Sequence, residues 1–347
     1  MKKYEIIEEY ILGKIKSGEL KHKDKIESVE ELCERFEVSH ITVQKALTEL
    51  ASRGSIVRVK GSGTFVNCES AENSDKKNIA LIIPVNEEFP DSSILTVAKG
   101  AKNRADELGY NLMLELCNLT PTSFVSSVES ALVKGVGGIA VYVFDVEAAV
   151  KAKAKHPELP YVMIDLFDDA VPCAGVTVNN SDGELLAVNH LISKGHRKIG
   201  FVGAVLERST ERERYAGYRA AMKAAGLGDY TRLYIGTTDI PEIVEDVRAG
   251  KITAICAIND QLSITLIRNL ISHGISVPGQ CSVVGFDDHD VVQFSPVPLT
   301  TVKQNFTDLG ICAVDLLDEQ IRGSIYHYRK IYSPVRLIER ESVAELK

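Results

Sequence analysis

The polar residues that say most about chemistry stand at the ends of apolar runs. Residues 252–258 are apolar and end in Asn259 and Asp260, and residues 283–286 end in the same way in Asp287 and Asp288. Buried parallel strands read like this, and in an open α/β sheet their carboxyl ends are where ligands bind. Between the two runs Leu262, Leu266 and Leu270 repeat at helical spacing until Gly274 and Pro278 stop the pattern. The runs are therefore successive strands of one sheet whose polar tips meet at one crevice. Nothing marks that crevice as reactive. Neither HExxH nor GxSxG occurs, and the Ser, His and Asp residues follow no order that suggests a triad. Asp287, Asp288, His289 and Asp290 are contiguous, and such a run rarely converges on one metal ion without ligands from elsewhere. Gly135-Val136-Gly137-Gly138 precedes a strand, whereas the glycines of a dinucleotide fingerprint follow one. No catalytic residue, metal or cofactor is expected.

A second constellation lies near the start. His40, Gln44 and Thr48 are spaced by four and share one face of a helix, opposite Val43, Leu47 and Leu50. A glutamine on an exposed helix face can pair with adenine, and a histidine can donate to a phosphate or a base. Lys45, Arg53, Arg58 and Lys60 supply positive charge close by.

The elements that position these groups follow from periodicity. Tyr4, Ile7, Ile11 and Ile15 form the buried face of a first helix ended by Gly18, and residues 21–25 read as a lysine-rich loop. Ser28 and Glu31 form a capping box for a second helix whose stripe is Val29, Leu32, Cys33 and Phe36, and Ser39 starts the third. Residues 56–59 and 64–66 are short β-type runs joined by Lys60-Gly61-Ser62-Gly63. Three helices and a hairpin make a winged helix-turn-helix, whose third helix enters the major groove. Residues 67–77 are polar and aperiodic and read as a linker. From residue 78 strands and helices alternate to the end, in two successive βα runs that imply two doubly wound lobes. The expected domains are thus 1–66, a linker 67–77, and 78–347.

Composition agrees with this division. The chain has 347 residues and a net charge of -8, yet residues 1–66 hold 12 lysines and arginines against 11 acids, so the acidity belongs to the remainder. No apolar run approaches the about eighteen residues of a membrane span, and the first residues lack a signal-peptide core, so a cytoplasmic protein is expected. Seven cysteines, none closer in sequence than Cys256 and Cys281, read as reduced thiols.

Residues 4–66 resemble the DNA-binding domain of GntR-family regulators in Ile15-Lys16-Ser17-Gly18-Glu19-Leu20, Phe36-Glu37-Val38-Ser39, Ile41-Thr42-Val43, Lys45-Ala46-Leu47 and Gly61-Ser62-Gly63-Thr64-Phe65-Val66. The resemblance implies DNA contacts by Ser39, His40, Thr42, Gln44, Lys45, Arg58, Lys60, Gly61 and Ser62. Arg58 and Lys60, on the wing, would meet phosphates. The family usually carries arginines where this chain has Glu30, His40 and Gln44, so its usual operator is not implied. Glu27, Glu30, Glu31, Glu34 and Glu37 also make the second helix acidic.

Residues 78–341 resemble the sensor domains of LacI/GalR-type repressors, through Gly195-His196-Arg197-Lys198-Ile199-Gly200-Phe201-Val202-Gly203, Arg214-Tyr215-Ala216-Gly217-Tyr218 and the stretch 257–306. That resemblance implies a periplasmic-binding-protein-like type I fold, an α/β pair of lobes that closes on a small molecule. Chain crossings are expected near 173–178, 301–304 and 330–334. It also places Asn86, Phe89, Asp165, Arg214, Asn259, Asp287 and Gln304 at the cleft. Such a set suits the adjacent hydroxyls and apolar C–H face of a neutral monosaccharide, and two carboxylates against one guanidinium disfavour a phosphorylated ligand. The fused architecture resembles AraR-like regulators of sugar catabolism. The expectation is a homodimeric repressor that binds operator DNA and responds to a sugar. A sugar sensor whose reader has lost specific DNA binding and an α/β enzyme acting on a sugar or nucleotide are the alternatives.

Overall fold

The computed structural model describes residues 3–21, 23–52, 55–59, 63–66, 78–85, 92–166, 173–203, 208–323 and 329–346. The chain divides into two compact units, Met1–Asn78 and Ile79–Lys347.

The first unit contains α1 (Lys3–Lys16), α2 (Val29–Phe36), α3 (His40–Ser52) and the hairpin β1 (Ile56–Val59) and β2 (Gly63–Val66). Ile7 and Ile11 of α1 meet Leu32 of α2 and Val43, Leu47 and Leu50 of α3 in one buried cluster. The box at the start of α2 is formed: the Ser28 N–H donates to Glu31 Oε2 at 2.7 Å, and the Glu31 N–H donates to Ser28 Oγ at 3.2 Å. Two backbone donors that a helix start leaves unpaired are thereby satisfied. The stretch expected as a loop at 21–25 forms no helix or strand in its described residues, and its backbone also bonds to the wing. The Lys23 N–H donates to Val66 O, the Val66 N–H to Asp24 O and the Ile26 N–H to Thr64 O, each at 2.9–3.0 Å. The free edge of β2 needs partners for its backbone groups, and this segment provides them without any apolar alternation that sequence could reveal.

In the second unit β3 (Asn78–Val85), α4 (Ser92–Leu108), β4 (Asn111–Asn118), α5 (Pro121–Val133), β5 (Gly138–Tyr142), α6 (Val146–Lys155), β6 (Tyr161–Ile164) and β7 (Ala174–Val178) build a first lobe. The second lobe holds α7 (Asn180–Ser193), β8 (Ile199–Gly203), α8 (Ser209–Ala224), β9 (Arg232–Ile235), α9 (Ile240–Arg248), β10 (Ala254–Ala257), α10 (Asp260–Ser272), β11 (Ser282–Asp287) and β12 (Thr300–Lys303). The chain ends with α11 (Phe306–Ile321), β13 (Lys330–Ser333) and β14 (Arg336–Ile338). The sheets run β13-β7-β6-β5-β3-β4 and β14-β12-β11-β10-β8-β9. Strands β6, β7, β8, β10 and β11 are buried throughout, as parallel strands covered on both faces must be.

Helix α11 and strand β13 return to the first lobe, and β14 goes back to the second. The lobes are thus joined three times, at 178–180, 303–306 and 333–336. Residues 174–178, expected near a crossing, form a first-lobe strand that pairs with β13, Lys330 opposite Gly175 and Ser333 opposite Val178. Both strands are too short for their periodicity to register. Two glycines set the packing of α4 on α11: a Cβ on Gly310 would lie 2.1 Å from Val97 O, and one on Gly100 would lie 2.1 Å from Thr307 O. The C-terminal segment straps the second lobe, where buried Ser342 Oγ donates to Val283 O at 2.6 Å and accepts the Thr300 N–H at 2.8 Å. Among the described residues no helix is long and apolar enough to cross a membrane.

Candidate functional site

The strand ends of the two lobes face a cleft of about 810 Å³. Asp165 after β6, Arg214 on α8, Asn259 after β10, Asp287 at the end of β11 and Gln304 after β12 all line it. Asn86 and Phe89 lie outside the described residues. Asp165 and Asp287 have φ of 75° and 115°. A non-glycine residue holds such a conformation at a cost of about 1–3 kcal/mol and only where its surroundings enforce it. The enforcement is visible at Asp165, whose N–H donates to Val176 O and whose carbonyl accepts from Thr177 Oγ1, both at 2.8 Å.

The Asp287 carboxylate organises the floor. Its Oδ1 accepts from Gln304 Nε2 and lies 3.3 Å from Arg214 Nη1, and its Oδ2 lies 3.4 Å from His289 Nε2. Arg214 is itself buried, donating from Nε to Asn180 Oδ1 at 2.9 Å and from Nη1 to the Ile258 carbonyl, with its guanidinium 3.7 Å from the centre of the Phe286 ring. These contacts fix the plane of the guanidinium and neutralise it before any ligand arrives. Gln304 is buried, and its Oε1 has no partner among the described residues. A buried acceptor of this kind calls for a donor, which a ligand hydroxyl supplies. Asn259 has a second duty that the sequence reading did not assign. Its Oδ1 accepts the Leu262 N–H at 2.8 Å and caps α10, so the amide nitrogen is the part left to a ligand.

Two further acids lie beneath the floor. Asp260 is fully buried, and its oxygens accept from Thr301 Oγ1 at 2.6 Å and from the His289 N–H at 2.9 Å. Burial first, and the Asp287 charge second, push its carboxyl up to about 7. Glu184 on α7 is also buried, with Oε1 unpartnered, and burial pushes it up to about 7 against the lowering effects of Cys256 and Arg214. Asp288 behaves differently. Burial alone would raise it, but hydrogen bonds from Lys303 and Arg340 outweigh that and hold it below the ordinary carboxylate range.

The cleft contains residues that the sequence reading missed. Tyr142 and Phe144 line the first-lobe side, and Phe306 stacks on His289 at 4.9 Å and 11°. Tyr142 ends β5 but lies inside an apolar run that continues through Val143 and Phe144 to Asp145, so the polar-tip pattern that marked Asn259 and Asp287 does not single it out. Thr210 and Glu211 also line the cleft, one helical turn before Arg214 on the same helix, a spacing that could have marked them. Ile83, Leu95 and Leu116 make the first-lobe wall largely apolar, while most polar groups come from the second lobe.

On the first unit, the Ser39 and Thr42 hydroxyls bond to each other at 3.0 Å, His40 Nε2 lies 3.8 Å from Glu30 Oε1, and Lys45 Nζ sits 4.3 Å above the Tyr4 ring. Gln44 and Arg58 are joined, Nη1 donating to Gln44 Oε1 at 2.9 Å. Lys60, Gly61 and Ser62 lie outside the described residues.

Comparison with known proteins bears on both units. Residues 3–66 match the family profile of bacterial regulatory proteins of the gntR family, and residues 188–343 match that of the periplasmic binding protein-like domain. The chain is 28% identical over 366 residues to the arabinose metabolism transcriptional repressor of Geobacillus stearothermophilus, covering 99% of this chain and 98% of the relative. It is 27% identical to the protein of the same description from Halalkalibacterium halodurans, covering 99% and 97%. In fold it is similar to the lac repressor dimer bound to operator and the anti-inducer ONPF, with a TM-score of 0.67 and 24% identity over 78% of this chain and 94% of that one. The winged first unit and the two-lobed second unit make this chain a gntR-family regulatory domain joined to a periplasmic binding protein-like domain.

Proposed function

We propose that this chain is a cytoplasmic transcriptional repressor that binds operator DNA as a homodimer through its winged first unit and is released by a small neutral sugar held between its lobes. The observation that carries the sugar reading is the cleft floor, where Arg214, Asp287 and Gln304 converge from three elements and Gln304 Oε1 awaits a donor. Vicinal hydroxyls match this mixture of fixed donors and acceptors. Asp165, Glu211 and Asp287 face Arg208 and Arg214, and Arg214 is already paired, so an added phosphate would find more repulsion than attraction. Full-length similarity to two arabinose metabolism repressors makes arabinose the first sugar to try. Symmetric pairing of two chains matches a palindromic operator.

A thermal-shift screen of the full chain against neutral mono- and disaccharides, sugar phosphates and purines tests the reading, followed by gel-shift release with whichever compound stabilises. Stabilisation by a neutral pentose or hexose, with release of DNA, is the expected result. Stabilisation by phosphorylated compounds or purines alone would overturn the sugar assignment.

A further inference from the structure

Arg58 stands on wing strand β1, yet its side chain reaches the recognition helix. Nη1 donates to Gln44 Oε1 at 2.9 Å and Nη2 donates to the Gln44 carbonyl at 3.3 Å. Two donors of one planar group meeting two acceptors of one residue fix both the position and the plane of the guanidinium. The same carbonyl accepts Thr48 Oγ1 at 2.7 Å, so the contact sits on the outward stripe that His40, Gln44 and Thr48 define. The contact draws the guanidinium to the face of α3 rather than out along the wing.

We propose that Arg58 is a base-reading residue, held by Gln44 so that it presents a guanidinium to guanine from the face of α3, and that Gln44 acts as its positioning residue. The proposal rests on the DNA-binding reading given above. A guanidinium has five N–H donors, and the two used on Gln44 leave others facing outward. Guanine offers two acceptors, O6 and N7, in the major groove, whereas adenine offers one acceptor beside an amino donor. Reading adenine with Gln44 would require Oε1 to accept from that amino group. With the Arg58 cation already on Oε1, the two guanine acceptors are favoured and the adenine amino group is repelled. The wing thus supplies the arginine of the recognition surface.

The test is selection of binding sites from random DNA by the full-length protein, repeated at two salt concentrations, for the unmodified chain, Arg58→Ala, Arg58→Lys, Gln44→Ala and the Gln44→Ala, Arg58→Ala double variant. Both positions are at the surface, and circular dichroism checks that each variant keeps its helices. The unmodified chain should enrich a motif with guanine at one position of each half-site. Arg58→Ala and Arg58→Lys should each lower that guanine preference by about 5- to 150-fold while the rest of the motif persists. Gln44→Ala should weaken the same position, and the double variant should be no worse there than Arg58→Ala. A phosphate contact predicts otherwise: Arg58→Ala would weaken all sequences alike with a flatter salt dependence, and Arg58→Lys would restore binding with the motif intact. That result, or losses at two different positions, overturns the proposal and leaves the repressor reading standing. Failure of the unmodified chain to enrich any motif overturns the repressor reading, and this proposal with it.

Discussion

Asp287 receives three side chains on one carboxylate, and each has a different exposure to ligand and fold. Arg214 is buried and tied to Asn180 and the Ile258 carbonyl, so Arg214→Ala strands Asp287 beside the already crowded Asp260. Breaking a buried pair in this way costs about 3–5 kcal/mol, and urea unfolding should show that loss together with loss of sugar binding. Gln304→Ala removes the unpartnered acceptor and the Nε2 donor to Asp287 while leaving the Arg214–Asp287 pair, so it should lower sugar affinity by about 1–3 kcal/mol in calorimetry with a smaller loss of stability than Arg214→Ala. Equal affinity in the variant would remove Gln304 from the site. Glu184 gives a pH prediction. Its carboxyl moves from an ordinary 4.5 to about 7 on folding, so the folded state holds the proton more tightly, and stability present at pH 4.5 is lost as pH rises through 7. Asp260 acts in the same direction, and Asp288, whose carboxyl is lowered, acts in the opposite one. Relative to the unmodified chain, Glu184→Gln should therefore gain up to roughly 3 kcal/mol in unfolding free energy between pH 5 and pH 8. Parallel pH profiles for the two proteins would show that Glu184 does not titrate there.

Among the elements, glycine substitutions should carry opposite signs in the two units. Helices α4 and α11 approach backbone to backbone at Gly100 and Gly310, and a Cβ on Gly310 would meet Val97 O at 2.1 Å and the Ala101 nitrogen at 2.6 Å. Neither neighbour can move without shifting a helix, so Gly310→Ala should destabilise the second unit by about 1–3 kcal/mol, read as a lower thermal midpoint. Gly13 lies inside α1 with nothing within 4 Å of its would-be Cβ. Gly13→Ala should stabilise the first unit by about 0.4–1 kcal/mol, because alanine has less backbone freedom to lose. Loss of stability at Gly13, or none at Gly310, would contradict this account of the packing.

The whole second unit divides its cleft unequally. The second lobe presents Arg214, Asn259, Asp287, Gln304 and His289, and the first presents Asp165 with an apolar wall that includes Tyr142 and Phe144. A sugar would engage the second lobe by hydrogen bonds and draw the first lobe over its C–H face, with the crossings at 178–180, 303–306 and 333–336 absorbing the motion. Small-angle scattering should read a smaller radius of gyration at saturating sugar. At a hundredfold excess over Kd the ligand should add about 2.7 kcal/mol of stability. Stabilisation with no change in radius would favour a rigid cleft over a closing one.

Local patterns in the sequence determined most of the elements. Isoleucines at helical spacing gave α1, Ser28 and Glu31 gave the cap of α2, and apolar runs with polar ends gave β10 and β11 together with the crevice at their tips. These features are legible because their cause lies within a few residues. Tertiary structure alone decided what depends on distant partners. It brought 174–178 and 330–333 together as neighbouring strands, set buried Glu184 beneath the cleft floor, and laid the wing's Arg58 on Gln44. Short strands are stabilised by their neighbours rather than by their own composition, a buried carboxyl takes its charge state from groups far away in sequence, and a guanidinium takes its direction from whatever acceptor the fold brings to it.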